Sequence, residues 1–351
     1  MPEEHHPGPG GVVLLPLRGV PEVRAGDDLA VIVREALRES GFTVADGDVL
    51  VVSSKVVSKA FGLVEAGGRE DVVARESVRV VASRRTPRGL ASIVESAAGP
   101  VMAAAGVDAS NTAPGTVLTL PHDPDEAARR LRRDLRALGL PRVAVVISDT
   151  AGRPWRGGQT DFALGAAGLV ASEDLRGTFD ASGQLLEVTE RAVAAEVAAA
   201  ADLVKGKASG IPVALVRGLA AFVTEADGPG ARSLLRDVAS DWFRHGHVEA
   251  VRCSLGVEDD LVPPPWVVPE PLQHRASRAV IIATSGYPDV DATVQHSDRS
   301  ILVSLRGNDF ELGVVTARLL AALWAEDLAG VVERDLSAPA GALEVRVSAR
   351  A

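Results

Sequence analysis

Between residues 148 and 161 the chain reads Ser148-Asp149-Thr150-Ala151-Gly152-Arg153-Pro154-Trp155-Arg156-Gly157-Gly158-Gln159-Thr160-Asp161. An acid and a hydroxyl stand side by side, two arginines follow, and glycines let backbone approach a ligand closely. Carboxylate and hydroxyl oxygens bind hard cations, and guanidinium groups clamp phosphate or carboxylate. Taken singly, the same residues fit a helix cap, a glycine turn and a solvated surface. Their concentration in one short segment favours a site. Asp108, in Gly106-Val107-Asp108-Ala109-Ser110-Asn111, offers a second carboxylate with an amide close by, in a segment that also suits a turn. Ser54, Lys55 and Lys59 place two ammonium groups one helical turn apart, suited to phosphate or to solvent. Lys205-Gly206-Lys207-Ala208-Ser209-Gly210-Ile211-Pro212 carries a Gly-Lys pair without the upstream glycine of a Walker loop.

Rigid elements must hold these segments. The apolar run 143–147 predicts a buried strand ending in a functional loop, and 49–53 predicts a second strand that leads into Ser54 and Lys55. Further strands are expected at 12–15, 78–81, 117–120 and 213–216, with helices near 29–39, 126–138, 190–204 and 233–244. Arg129, Arg130, Arg132 and Arg133 fall on the expected helix 126–138, where Leu131, Leu135 and Leu138 keep helical spacing, so they read as its charged outer face. Acidic residues and prolines, including Pro263-Pro264-Pro265, crowd residues 257–271 and disfavour both helix and central strand. The expected organisation is therefore a disordered tail over 1–11, a domain over 12–256, a Pro-rich linker over 257–271 and a small α+β domain of unknown role over 272–351. Within that last domain, strands are expected at 279–283, 301–305 and 343–347 and a helix over 309–326.

A net charge of −10 across 351 residues argues against a nucleic-acid partner held by phosphate neutralisation. No apolar run is long enough to span a bilayer, so no membrane partner is expected. The single cysteine, Cys253, excludes an intrachain disulfide and fits a reducing cytoplasm. His245 and His247 flank Gly246 with no third ligand near in sequence, which suits a surface pair better than a metal site. The absence of Gly-x-Ser-x-Gly gives no case for a hydrolase nucleophile.

The segment 148–161, followed by Ala163-Leu164-Gly165-Ala166-Ala167-Gly168, resembles the signature of the coenzyme F420-0:L-glutamate ligases, which build the glutamate tail of a deazaflavin redox cofactor. Residues 19–29, 46–59, 105–111 and 200–207 match that family in order, so the likeness runs over roughly residues 12–245. The resemblance implies a two-lobed α+β ligase-like domain, followed here by the small α+β domain. It implies GTP as co-substrate, Mg²⁺ or Mn²⁺, K⁺ as a further cation, coenzyme F420-0 and L-glutamate as substrates, and a cytoplasmic homodimer.

Residue by residue, the resemblance makes Asp108, Asp149 and Thr150 metal ligands. It gives Ser54, Lys55 and Lys59 to nucleotide phosphate, and Arg18, Gly19, Val20, Pro21, Asn111 and residues 205–212 to the nucleotide. Asp149, Lys55 and Arg153 carry the catalytic expectation, with Arg153 and Arg156 placed in sequence to clamp an anion. Two departures stand out: Lys207 where many members carry glutamate, and Phe61 where an acid is usual. They keep two alternatives open, a paralogous amide ligase with a different amine or acid and a non-catalytic nucleotide-binding homologue.

Overall fold

Valines, leucines and isoleucines fill residues 49–52 and 144–147 without polar alternation because the strands that hold them are covered on both faces. In the computed structural model, residues 11–110, 112–207, 209–258, 261–267, 270–296, 301–333 and 341–350 are described. The architecture is mixed α+β. In chain order it comprises β1 (Val13–Pro16), α1 (Leu29–Glu39), β2 (Val49–Ser53), α2 (Ser54–Ala60), β3 (Val64–Ala66) and α3 (Arg69–Arg75). Next come β4 (Ser77–Thr86), β5 (Gly89–Ser96), β6 (Val101–Ala103), β7 (Thr116–Leu118), α4 (Pro124–Ala137), β8 (Ala144–Arg153) and β9 (Arg156–Ala167). Then follow β10 (Glu173–Asp174), β11 (Glu190–Arg191), α5 (Val193–Lys205), β12 (Val213–Arg217), α6 (His247–Ser254) and α7 (Leu272–Thr284). The last elements are β13 (Asp291–His296), β14 (Ile301–Arg306), α8 (Asp309–Ala325), β15 (Leu328–Glu333) and β16 (Ala342–Ala349).

The described residues divide into two compact units, one running through Arg79 and resuming over Val94–Ser240, the other made of Val80–Ile93 and the chain from Asp241 onward. The first unit is built on a five-stranded sheet of order β1-β12-β2-β8-β9, in which only β2 and β8 are parallel. Side chains alternate across it. Leu50, Val52, Val145 and Ile147 pack with Val33 and Leu37 of α1 and Leu131 and Leu135 of α4, while Val49, Val51 and Val146 pack with Val197 and Ala201 of α5. Each such valine, leucine or isoleucine contributes about 1.5–3 kcal/mol by leaving water. Helix α4 starts where Asp123 accepts from the Glu126 N–H at 2.9 Å and Pro124 takes the first turn.

The second unit has its own antiparallel sheet, β13-β14-β16-β15, and a core in which Val303, Leu305, Val345 and Val347 meet Ile282 of α7 and Leu312, Leu319 and Leu323 of α8. Arg278 of α7 is buried there between Glu270 and Glu326, at 2.5 and 2.6 Å.

Three expected elements take a different form. Residues 279–283 lie within α7, because a short apolar run reads alike in a strand and in a buried helix and only the flanking residues extend it. Residues 233–244 do not make a helix; a short 3₁₀ turn, Ala231–Leu234, opens a stretch of turns rich in Asp and Ser. The expected loop after residue 147 is a long antiparallel hairpin of β8 and β9, with Trp155 at its tip in the left-handed region at φ 58°.

Candidate functional site

The sheet delivers the polar segments to one end. β2 and β8 pair in parallel as far as Ser53 opposite Ser148, so Ser54-Lys55 and Asp149-Thr150 emerge side by side. Ligands gather at such carboxyl ends of parallel strands. β12 runs the other way, Val213 opposite Val52, and brings the preceding residues 205–207 and 209–212 to the same end. β1 leaves the sheet there too, with Pro16 opposite Ala214. In the hairpin, Thr150 lies opposite Asp161. Alternation then puts Ser148, Thr150 and Asp161 on one face and Asp149 on the other.

These residues surround a cavity of about 700 Å³, a size suited to a nucleotide or a comparable ligand. On one wall, Lys205 donates to Asp161 Oδ2 at 2.7 Å and to the Ser148 hydroxyl at 2.6 Å. The Ser148 and Thr150 hydroxyls donate to the same carboxylate at 2.9 and 2.5 Å. Burial would raise the Asp161 carboxyl, but Lys205 and the two hydroxyls outweigh it and hold it below the usual carboxylate range. Lys207 reaches in from the rim, donates to the Thr150 hydroxyl and stands 3.6 Å from Asp161 Oδ1. Its loop turns at Gly206, the cap of α5, whose φ of 62° favours glycine.

Asp149 faces α2. The Ser54 hydroxyl donates to Asp149 Oδ1 at 3.1 Å, and no ammonium or guanidinium among the described residues comes within ion-pair distance. Burial pushes the Asp149 carboxyl up to about 6, against the opposing hydrogen bonds from the Thr150 N–H and Ser54. Further along, Lys55 lies 2.7 Å from Asp108 Oδ2 and donates to the Ser110 hydroxyl at 2.6 Å. The Ser110 N–H closes a turn on Asp108 Oδ1 at 2.7 Å. Burial again raises the Asp108 carboxyl, and Lys55 with Ser110 more than offsets it, leaving it lowered. Lys59 is ion-paired with Glu22, and the buried Ser58 hydroxyl, which lines the same cavity, has no partner among the described residues.

Of the residues singled out in the sequence, Val20, Pro21, Ser54, Lys55, Lys59, Asp108, Asp149, Thr150, Lys205, Gly206, Lys207, Gly210, Ile211 and Pro212 border this cavity. Arg18, Gly19, Ser209 and Arg153 do not. Arg18 donates its N–H to Ser40 at 2.9 Å, the Ser209 hydroxyl donates to the Lys205 carbonyl, and Arg153 and Arg156 stand at the exposed hairpin tip. Gly19 has a φ of 78°, and a Cβ there would meet the Glu39 carboxylate. Asn111, Ala208 and the expected tail up to residue 10 lie outside the described residues. Phe61 lies outside the cavity, under the Arg130 guanidinium at 5.3 Å. Sequence reasoning assigned no individual role to Asp161, Ser148 and Glu22, although they lie in the segments it singled out, and passed over Arg69. Asp161 had a readable signal: an acid set directly against the apolar run 162–164 must find a buried cation.

Among the described residues no group of three or more His, Cys, Asp or Glu side chains is arranged to hold a metal ion, and no helix is long and apolar enough to cross a membrane. The donors present still suit a hard divalent ion, since Asp149 is a desolvated carboxylate with no ammonium or guanidinium at ion-pair distance among the described residues, and the Ser54 hydroxyl stands beside it. Mg²⁺ commonly takes one or two carboxylates and completes its shell with phosphate oxygen and water.

A family model described as F420-0:Gamma-glutamyl ligase matches residues 19–66 and 68–218. A protein of Methanothermobacter thermautotrophicus named coenzyme F420:L-glutamate ligase is 38% identical over 252 residues, covering 67% of this chain and 99% of its own length. Proteins of the same name from Methanopyrus kandleri and Halobacterium salinarum are each 39% identical, over 260 and 248 residues, covering 67% and 64% of this chain and 100% and 93% of theirs.

Proposed function

The chain belongs to the F420-0:gamma-glutamyl ligase family, and from that premise we propose that it is a GTP- and divalent-metal-dependent ligase that adds L-glutamate to coenzyme F420-0. The observation that carries this reading is the cavity itself, where one desolvated carboxylate, Asp149, has no ion-pair partner among the described residues and shares the lining with the lysines Lys55, Lys59, Lys205 and Lys207. Amide formation in water needs an activated acyl group. The substrate carboxylate attacks the γ-phosphorus of GTP, GDP leaves, and an acyl phosphate results. The uncharged glutamate amine then attacks the acyl carbon, inorganic phosphate departs, and the amine proton passes to water or to phosphate.

Asp149 would be the principal protein ligand for a divalent ion, with Asp108 and Thr150 as the further candidate oxygen donors bordering the cavity, and the ion would supply neutralisation of phosphate charge. Lys55 and Lys59 hold phosphate oxygens as point charges. Both are ion-paired now, so nucleotide entry exchanges Asp108 and Glu22 for phosphate. Val20, Pro21 and residues 210–212 form less polar walls for the rest of the nucleotide. The protein is expected to act as a homodimer, with K⁺ as an accessory cation. Phe61, which stands where an acid is usual, lies outside the cavity, and a ligase for another amine or acid stays the alternative.

The test is incubation with coenzyme F420-0, L-glutamate, GTP and Mn²⁺ or Mg²⁺, followed by mass spectrometry. Glutamyl units should appear only with both nucleotide and metal. A protein that binds GTP yet adds no glutamate would sink the reading, and turnover with another amine or acid would replace it with a paralogous ligase.

A further inference from the structure

Cations and acids in the cavity do not pair one to one. Asp108 has Lys55 at 2.7 Å. Asp161 has Lys205 at 2.7 Å, Lys207 at 3.6 Å and two hydroxyls, so each of its oxygens already carries a hydroxyl donor and a facing ammonium. Thr150 donates to Asp161 and accepts from Lys207, which engages its proton and one of its two lone pairs. Asp149 alone of these three carboxylates is without an ammonium at ion-pair distance. Asp202 also borders the cavity, from α5, three residues before Lys205.

Phosphoryl-transfer centres often neutralise charge with two divalent ions a few ångströms apart. Here the oxygen ligands on the Asp161 and Thr150 side are bound to two ammonium groups. An ion placed there would stand beside the buried Lys205 and would have to expel Lys207. Lys205 is 4% exposed and cannot swing into solvent, whereas the side chain of Lys207 is 65% exposed and reaches the site from the rim. Like charges in such a low-dielectric setting repel strongly.

We propose that Lys207, backed by Lys205, takes the place of a second cation in this cavity, so that each chain binds a single divalent ion, at Asp149. The inference rests on reading the cavity as a metal-dependent ligase centre. It makes Lys207 a fixed positive charge facing the same phosphate region that the ion serves, with no need for a second ion to be recruited from solution.

The count is measurable without turnover. Metal-free full-length protein is titrated with Mn²⁺ alone, and free Mn²⁺ is followed by electron paramagnetic resonance. The wild type should take up one Mn²⁺ per chain, and Asp149→Asn should weaken that uptake at least a hundredfold while keeping the wild-type circular dichroism spectrum. Lys207→Glu should bind a second Mn²⁺; its exposed stem makes the exchange compatible with folding, and Lys207→Ala, which should keep the count at one, serves as the control. Two ions in the wild type, uptake that survives Asp149→Asn, or a count still at one in Lys207→Glu would each overturn the inference. Glutamyl transfer assayed on the same samples separates the two ideas. One ion lost with Asp149→Asn in a protein that adds no glutamate removes the ligase reading and keeps the ion count. Two ions in a protein that adds glutamate does the reverse.

Discussion

Two acids, one buried and one half-buried in a cavity wall, show opposite solutions to one problem. In the second unit, Glu326 is 4% exposed and meets the Arg278 guanidinium in a two-pronged contact, at 2.9 Å from Nε and 2.6 Å from Nη2, while Glu270 takes the other side of the same fork. Burial raises the Glu270 carboxyl and Arg278 more than offsets it, so the acid stays lowered. In the first unit, Asp149 has a serine hydroxyl and a backbone N–H but, among the described residues, no cation at ion-pair distance, and burial pushes its carboxyl up to about 6. A buried acid whose charge is fully matched from within the chain has no call on a ligand. One left unmatched in a cavity costs stability until something positive arrives, and selection tolerates that cost where the arrival is the function.

Removing the unmatched acid should do the most damage to activity and the least to the fold. Asp149→Ala is expected to lower glutamyl transfer at least a thousandfold, on the order of 4 kcal/mol, with an unchanged circular dichroism spectrum. Retained turnover would take Asp149 out of the metal site. The matched acids should behave the opposite way. Arg278→Met strands two buried carboxylates and should cost about 3–5 kcal/mol in the unfolding of its unit, read by denaturant titration of tryptophan fluorescence. Replacing Arg278, Glu270 and Glu326 together by apolar residues of similar size should restore most of that loss.

A smaller effect follows from pH. The Asp149 carboxyl titrates near 6 in the folded chain and near about 4 when unfolded. Its ionisation therefore penalises the metal-free fold fully above pH 6, less between 6 and 4, and not at all below. Asp149→Asn should stabilise metal-free protein by about 1–3 kcal/mol at pH 8, with the gain gone by about pH 3.5; an equal gain at both values would mean that charge is not the cause. Mn²⁺ affinity of the wild type should fall about tenfold per pH unit below 6. The smallest effect belongs to the exposed pair Arg346 and Glu333, at 2.6 Å. Glu333→Gln should leave the melting temperature where it is, because solvent already screens both partners.

The sequence made the frame of the site legible and hid its wiring. Strands β2 and β8 and helices α4, α5 and α8 could be read from apolar periodicity, since burial on one or both faces dictates the residue types directly. Residues 148–161 were readable as chemistry but not as a hairpin, because glycine and polar side chains suit loops, and only cross-strand pairing of Thr150 with Asp161 makes them strands. Lys205 read as part of a nucleotide loop. Its place on Asp161 depends on a contact 44 residues away in sequence, which no local pattern encodes. The hairpin tip also defeats sequence proximity: Arg153 lies four residues from Asp149 in the chain, yet the extended strand carries it to the exposed end.

The one-ended sheet has a practical consequence for anyone handling this molecule. With the strand ends that carry chemistry all pointing one way, the turn between α4 and β8 lies at the far end of the sheet, where Arg142 and Asp46 meet at 2.8 Å and Gly139 has nothing within 4 Å of where a side chain would begin. A reporter protein or a surface anchor spliced in at Gly139 would hang from the side opposite the cavity, so the molecule could be fixed to a sensor chip with its mouth facing the flow.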